Sequence, residues 1–136
     1  MGWMVIVLLA LTSFPQLLEA RTAGQHYWFV PIDPPVLVSD CVASCATRGG
    51  YLAMPLNAAQ NEKIRIAFGN SGASGMLGAN RLGSNDNDWR WQYGPLQGTL
   101  FYNAKQNGQC VAYCNWLPGE PNNVNDDEKL VVMYGD

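Results

Sequence analysis

A dense set of side-chain oxygens lies in ten residues near the end of the chain. Residues 119–128 read GEPNNVNDDE and hold two glutamates, two aspartates and three asparagines, with no Lys or Arg among them. Negative charges this close repel one another on a folded surface unless water or a cation compensates them. Calcium takes roughly six to eight oxygen ligands, so these residue types favour it over magnesium or zinc. A solvated acidic turn is the alternative that they leave open.

The spacing of this segment excludes one familiar calcium loop and suggests another geometry. An EF-hand needs acidic or amide side chains at alternate positions before a glycine, between two helices, and that pattern is absent here. Glu120 and Asn122 flank Pro121 instead, and a cis peptide bond before the proline would turn both side chains to the same side. The segment is also too polar for a core, which is typical of a functional loop.

The four cysteines form two Cys-x3-Cys pairs, namely Cys41 with Cys45 and Cys110 with Cys114. A zinc site with four thiolates is one interpretation, although zinc modules usually use a tighter Cys-x2-Cys spacing. A disulfide framework is the other, and the sequence does not choose among its three full pairings. The spacing also differs from that of a thioredoxin-type redox pair.

Two helices and several short strands are predicted around these residues. Ser39–Asp40 looks like the N-cap of a first helix that ends at Gly49–Gly50, and Asn57 looks like the cap of a second helix over Ala58–Phe68. An edge strand is predicted within residues 26–38. After Met76 the apolar stretches MLGA, WRWQY, TLFY and KLVVMY alternate with turn residues, which indicates strands. The predicted class is α+β.

Composition narrows the possible functions. A chain of 136 residues with a net charge of −3 and scattered Lys and Arg indicates one domain that does not bind nucleic acid. The single histidine, His26, excludes a catalytic triad within the chain, so we do not predict an enzyme. The apolar run Met4–Leu11 is too short to span a membrane and predicts a signal peptide over residues 1–20, cleaved after Ala20. The mature chain would be secreted or extracellular.

The order of several blocks resembles the C-type lectin-like domain family. The blocks are GGYLA at 49–53, MLGA at 76–79, DWRWQYG at 88–94 and NWLPGEPNN at 115–123, followed by Glu128 and KLVVMY. The resemblance covers residues 27–136. It implies an α+β C-type lectin-like fold with two short helices, small antiparallel sheets and a long loop region. It also implies that Trp89, Trp91 and Trp116 are core aromatics rather than sugar-stacking residues.

The resemblance implies a calcium-dependent carbohydrate-binding (lectin) module with mannose-type specificity. By position, Glu120 and Asn122 would each bind Ca²⁺ and hydrogen-bond one sugar hydroxyl, and Glu128 would supply a further oxygen. A carboxylate accepts from a hydroxyl whereas an amide NH₂ donates to one, so the pair reads the orientation of two neighbouring hydroxyls. The implied partners are glycans with mannose-type equatorial hydroxyls, in preference to galactose.

The chain also departs from the family. It ends at Gly135–Asp136, before the family's Trp-Asn-Asp segment, so the C-terminal strands and two expected calcium ligands are missing and the domain is C-terminally incomplete, as in a fragment. Leu130 replaces a family cysteine, and residues 103–114 look like an insertion that carries Cys110 and Cys114. Arg81 and Lys129 replace acidic ligands of an auxiliary calcium site. The alternative function is therefore a calcium-independent C-type lectin-like module for protein–protein contact or a structural role.

Overall fold

The computed structural model describes residues 5–8, 27, 29–32, 37–68, 74–81, 88–104, 108–124 and 128–134. It shows an α+β fold, as predicted and as expected of a C-type lectin-like domain. Two helices are followed by most of the strands. The helices are α1 (Val38–Ala46) and α2 (Ala58–Phe68). The strands are β1 (Val5–Leu8), β2 (Phe29–Ile32), β3 (Ser74–Asn80), β4 (Trp89–Trp91), β5 (Leu100–Asn103), β6 (Gln109–Cys110) and β7 (Leu130–Tyr134).

The strands join in one sheet, whereas the sequence predicted several small ones. The order along the sheet is β2-β1-β3-β4-β5-β6, and β7 pairs with β3 away from this path. All pairs are antiparallel except β1 with β3, which are parallel at Val7 and Met76. Strand β3 is the central strand, because β4 pairs with it near Ala79 and β7 pairs with it from Ser74 to Asn80.

The first helix begins earlier than the sequence predicted. Its N-cap is Leu37, and the Leu37 amide donates to Asp40 Oδ2 at 3.0 Å. Asp40 is thus the third residue of the helix and not its cap, so the predicted N-cap at Ser39–Asp40 is wrong. A carboxylate in this position satisfies an amide that the helix itself leaves without an acceptor.

The second helix begins and ends where it was predicted. Asn57 accepts a hydrogen bond from the Gln60 amide at 2.9 Å, which is the usual N-cap contact. Ile64 points into the core and is fully buried, whereas Glu62 and Arg65 are exposed and pair with each other at 2.7 Å. The helix therefore covers the sheet with a narrow apolar face.

The main core lies between α2 and the sheet and is rich in aromatic side chains. Its buried members are Ala53, Met54, Ile64, Leu77, Ala79, Trp89, Trp91, Phe101, Tyr102 and Val131. A smaller cluster joins α1 to the sheet through Cys41, Cys45, Leu52 and Met76. Gly78 in β3 lets the backbone pass close to this layer, because a Cβ there would lie 2.9 Å from the Leu52 carbonyl oxygen.

The predicted signal peptide overlaps a strand. Val5–Leu8 forms β1 and pairs with β2, while the predicted cleavage point after Ala20 lies outside the described residues and stays a prediction. Neither helix of the described part of the chain has the length and apolar character needed to cross a membrane.

Candidate functional site

The residues that the sequence singled out as a candidate site lie on the long segment between β6 and β7. A disulfide between Cys110 and Cys114 closes the start of this segment. A turn follows, in which the Glu120 amide donates to the Leu117 carbonyl at 3.0 Å and Gly119 adopts a φ of 91°. Only glycine enters this conformation readily, so Gly119 allows the chain to turn just before Glu120.

Glu120 and Asn122 face each other across Pro121. The Asn122 side-chain Nδ2 donates to Glu120 Oε1 at 2.6 Å, and the Asn122 amide donates to Glu120 Oε2 at 3.0 Å. The Glu120–Pro121 peptide bond is cis, the form considered from the sequence. The carboxylate thus accepts one hydrogen bond on each oxygen, and each oxygen keeps a lone pair for another partner.

The residues after Asn122 continue this hydrogen-bonded turn. Asn122 Oδ1 accepts from the Val124 amide at 3.0 Å, which fixes the orientation of the side-chain amide. Asn123 has a φ of 55°, a left-handed conformation that asparagine tolerates better than most residues. Asp126 and Asp127, the other acidic residues of the segment, lie outside the described residues.

Glu128 lies two residues before β7 and lines the same region. Glu120 and Glu128 both line a cavity of about 790 Å³ between the loop, β7 and the aromatic core. Aromatic side chains also line this cavity, namely Trp89, Trp91, Phe101 and Trp116. Two of the three predicted ligands therefore share one cavity, and the third, Asn122, is hydrogen-bonded to one of them.

Trp89 and Trp91 are core residues, as predicted, whereas Trp116 is half-buried and packs against the core. Trp89 and Trp91 are each 3% exposed, and the Trp116 ring lies 5.4 Å from the Trp89 ring and 6.0 Å from the Phe101 ring. Within the described part of the chain, the buried Nε1–H of Trp116 meets no acceptor. A buried donor left in this way costs about 1–3 kcal/mol.

Arg81, a buried cation directly after β3, contacts the loop. The sequence did not predict this contact. Arg81 Nε donates to the Glu128 carbonyl at 2.6 Å, and its Nη2 donates to Asn123 Oδ1. The sequence pattern placed Arg81 only at an acidic position of the family. Residues 119–128 contain no basic residue, and this pattern could have predicted that a cation from elsewhere in the chain contacts the loop.

The cysteines settle the choice that the sequence left open. Cys110 and Cys114 form a disulfide, while Cys41 and Cys45 are buried thiols on α1, so the interpretation as a four-thiolate zinc site is wrong. Burial raises the pKa of the Cys45 thiol to about 12; Cys41 adds to the shift and Arg48 opposes it. Burial also raises the pKa of Cys41, with a further contribution from Asp40.

The donor set of the loop fits a hard cation. Glu120, Asn122 and Glu128 offer carboxylate and amide oxygens only, which is the chemistry that calcium prefers. Among the described residues, no three His, Cys, Asp or Glu side chains come together as a metal-binding cluster. These three residues would therefore supply part of the shell, with water and other oxygens completing it.

Comparisons with known proteins give partial matches. Over 89 residues the chain is 37% identical to Halomucin of Haloquadratum walsbyi, a match that covers 64% of this chain and 1% of that protein. It is 34% identical over 89 residues to Collectin-11 of Danio rerio, which covers 65% of this chain and 28% of that protein. The chain thus spans less than a third of the length of either relative. No family model and no solved structure matches it. The similarity to Collectin-11, a C-type lectin, supports a C-type lectin-like domain in this chain.

Proposed function

We propose that this chain is a calcium-dependent carbohydrate-binding module with mannose-type specificity. The observation that carries the proposal is the contact between Glu120 and Asn122, which places a carboxylate beside an amide on the surface loop. Such a pair offers oxygens to calcium together with one acceptor and one donor to two neighbouring hydroxyls. The similarity to Collectin-11 supports a lectin-type module that acts by binding and not by catalysis.

Each residue has a distinct role in this proposal. Glu120 and Asn122 would hold the ion and orient the sugar, and Glu128, which lines the same cavity, would add an oxygen. The bound ion would supply a positive charge that attracts the lone pairs of two sugar hydroxyls. Glycans on secreted proteins or cell surfaces are the proposed partners, and an extracellular location follows from the predicted signal peptide.

Calcium titration by calorimetry tests the metal site directly. Three protein side chains leave the ion short of its roughly six to eight oxygens, so we expect a Kd at or above ~10⁻⁴–10⁻³ M. Glu120→Gln and Glu128→Gln should each weaken binding further. Glu62→Gln is the matched control, because Glu62 is exposed on α2 and pairs with Arg65. Equal binding by all four proteins would contradict the assignment.

Sugar binding is tested on immobilised mannose. A chain extended through a Trp-Asn-Asp-like segment should be retained in calcium and released by EDTA, whereas the 136-residue chain should pass through. Retention of the 136-residue chain at millimolar calcium would show that further oxygens complete the shell, with Asp126 and Asp127 as the first candidates for substitution.

A calcium-independent module for protein–protein contact is the second candidate. Large apolar side chains are exposed along the same segment, namely Val111, Leu117 and Val124, each more than half exposed. Exposed apolar side chains that form one patch are typical of protein contact surfaces, so these three are candidates for such a surface. Unchanged partner binding in EDTA, lost on Leu117→Ser, would favour this function over the first.

A further inference from the structure

We propose that Arg81 is a positioning residue whose guanidinium serves as the resident cation of the loop that carries Glu120, Asn122 and Glu128. It holds the loop in its folded conformation before any metal ion binds. The importance of this for ligand binding rests on the proposed function, but the positioning itself does not.

Arg81 connects the centre of the sheet to two separate points of the loop. It follows directly after β3 and is only 6% exposed, although its side chain is charged. Its amide donates to the Lys129 carbonyl at 3.1 Å, and its Nε donates to the Glu128 carbonyl at 2.6 Å. Its Nη2 donates to Asn123 Oδ1. The Arg81 side chain thus binds the loop at two points, Asn123 and Glu128, which lie 42 and 47 residues further along the chain.

The surroundings of the guanidinium show why it stays in place. Its carbon lies 5.8 Å from the centre of the Trp89 ring, and this ring belongs to the rigid aromatic core. A guanidinium is planar and presents donors in fixed directions, so contacts to the core and to two loop oxygens restrict its position strongly. A buried charge is costly unless such partners compensate it, which couples the conformation of the loop to the presence of this cation.

The charge of Arg81 also matches the loop. Residues 119–128 contain four acidic side chains and no basic one, so the segment needs a positive charge from elsewhere. Arg81 provides one from its place directly after β3. A loop organised in this way should be ordered in EDTA, and calcium should bind to an existing arrangement instead of creating it.

Amide hydrogen exchange in EDTA, measured by NMR, tests this inference without calcium or sugar. The reporters are the amides of Asn122 and Val124 in the loop, with the Gly78 amide, which donates to the Ala53 carbonyl at 2.9 Å, as the core reference. Arg81→Met removes the charge and keeps most of the side-chain length. We expect loop exchange to accelerate roughly tenfold or more, with core exchange unchanged.

Two further variants keep the test decisive. Arg81→Lys retains the charge but loses the planar set of guanidinium donors. It should therefore show loop protection between that of Arg81→Met and that of the wild type. Arg48→Met is the matched control, because Arg48 is exposed just after α1 and its guanidinium donates to the carbonyl and the hydroxyl of Ser44. It should leave the loop unchanged.

Clear outcomes would overturn the proposal. Loop protection in Arg81→Met equal to that of the wild type would do so, and so would wild-type protection that develops only when calcium is added. If Arg81→Met fails to fold, two measurements still test the proposal. One is loop exchange in the wild type with EDTA and with calcium, and the other is loop exchange in Arg81→Lys. Failure of the proposed sugar binding would leave these exchange results, and the inference, intact.

Discussion

Exchanging the carboxylate and the amide of the Glu120–Asn122 pair provides a sharp energetic test of the site. Asn122→Asp replaces the Nδ2 donor, which lies 2.6 Å from Glu120 Oε1, with a carboxylate oxygen. Two unit charges at that distance repel by about 1.6 kcal/mol at the dielectric constant of water and by about 6 kcal/mol at an effective value of 20. Asn122 is exposed, so the lower figure applies. With the lost hydrogen bond, we expect a cost near 2 kcal/mol for the folded loop.

The assay is exchange of the residue 122 amide, which donates to Glu120 Oε2 at 3.0 Å. A cost near 2 kcal/mol corresponds to roughly 30-fold faster exchange in metal-free buffer. Glu120→Gln should also accelerate exchange, because one of its two acceptors becomes an NH₂ group facing another NH₂ group. The double variant restores one donor opposite one acceptor, so its exchange should return to within about threefold of the wild type.

The design includes a control and a refuting result. Asn115→Asp adds the same charge at an exposed position of the same segment and should change exchange by less than about threefold. If the effects of the two single variants simply add in the double variant, then the side chains do not interact in solution and the site geometry argued above is wrong.

Four other predictions follow from the structure. Because burial raises the pKa of Cys45 to about 12, native Cys41 and Cys45 should resist alkylation at pH 8, and denaturation without reductant should expose two titratable thiols. A raised pKa favours the folded state below the unfolded value of about 9.0 and loses this contribution as pH rises toward 12, so urea unfolding should show falling stability above pH 9. Gly78→Ala should cost about 2 kcal/mol in the same assay, since the added methyl meets a backbone oxygen at 2.9 Å. In an extended chain, Glu120→Gln with Asn122→Asp should move retention from mannose resin toward galactose resin; unchanged mannose retention would refute the proposed hydroxyl reading.

Features determined by neighbouring residues could be predicted from the sequence. The limits of α2 follow from Asn57 and its contact three residues later, and the Glu120–Asn122 pair spans only two residues. The start of α1 was missed because Ser39 and Asp40 both suit a cap, whereas Asp40 serves the Leu37 amide from inside the helix. The residue types alone therefore fit two different starting points for α1.

Features that depend on distant contacts could not be predicted. Arg81 and Glu128 are 47 residues apart in the sequence, and no periodicity or motif predicts a contact over such a separation. The acidic composition of the loop predicts a compensating cation, but composition does not distinguish a metal ion from a guanidinium elsewhere in the chain. Similarly, the spacing of the cysteines is the same in both pairs, and only burial of Cys41 and Cys45 against Met76 distinguishes them from the surface pair.

The protein contains two kinds of cysteine with different accessibility: a disulfide on the surface and two buried thiols on α1. Cys110 and Cys114 enclose a loop of only five residues, so opening the bond removes about 2 kcal/mol of chain constraint by the loop-entropy relation. Mild reduction should therefore expose two reactive sulfurs at the base of the candidate site, while the thiols of α1 stay shielded in the core. With Cα atoms 6.1 Å apart, the pair suits a bridging reagent that restores the closed loop. A fluorophore attached in this way would report on the segment carrying Glu120 without mutation of the chain.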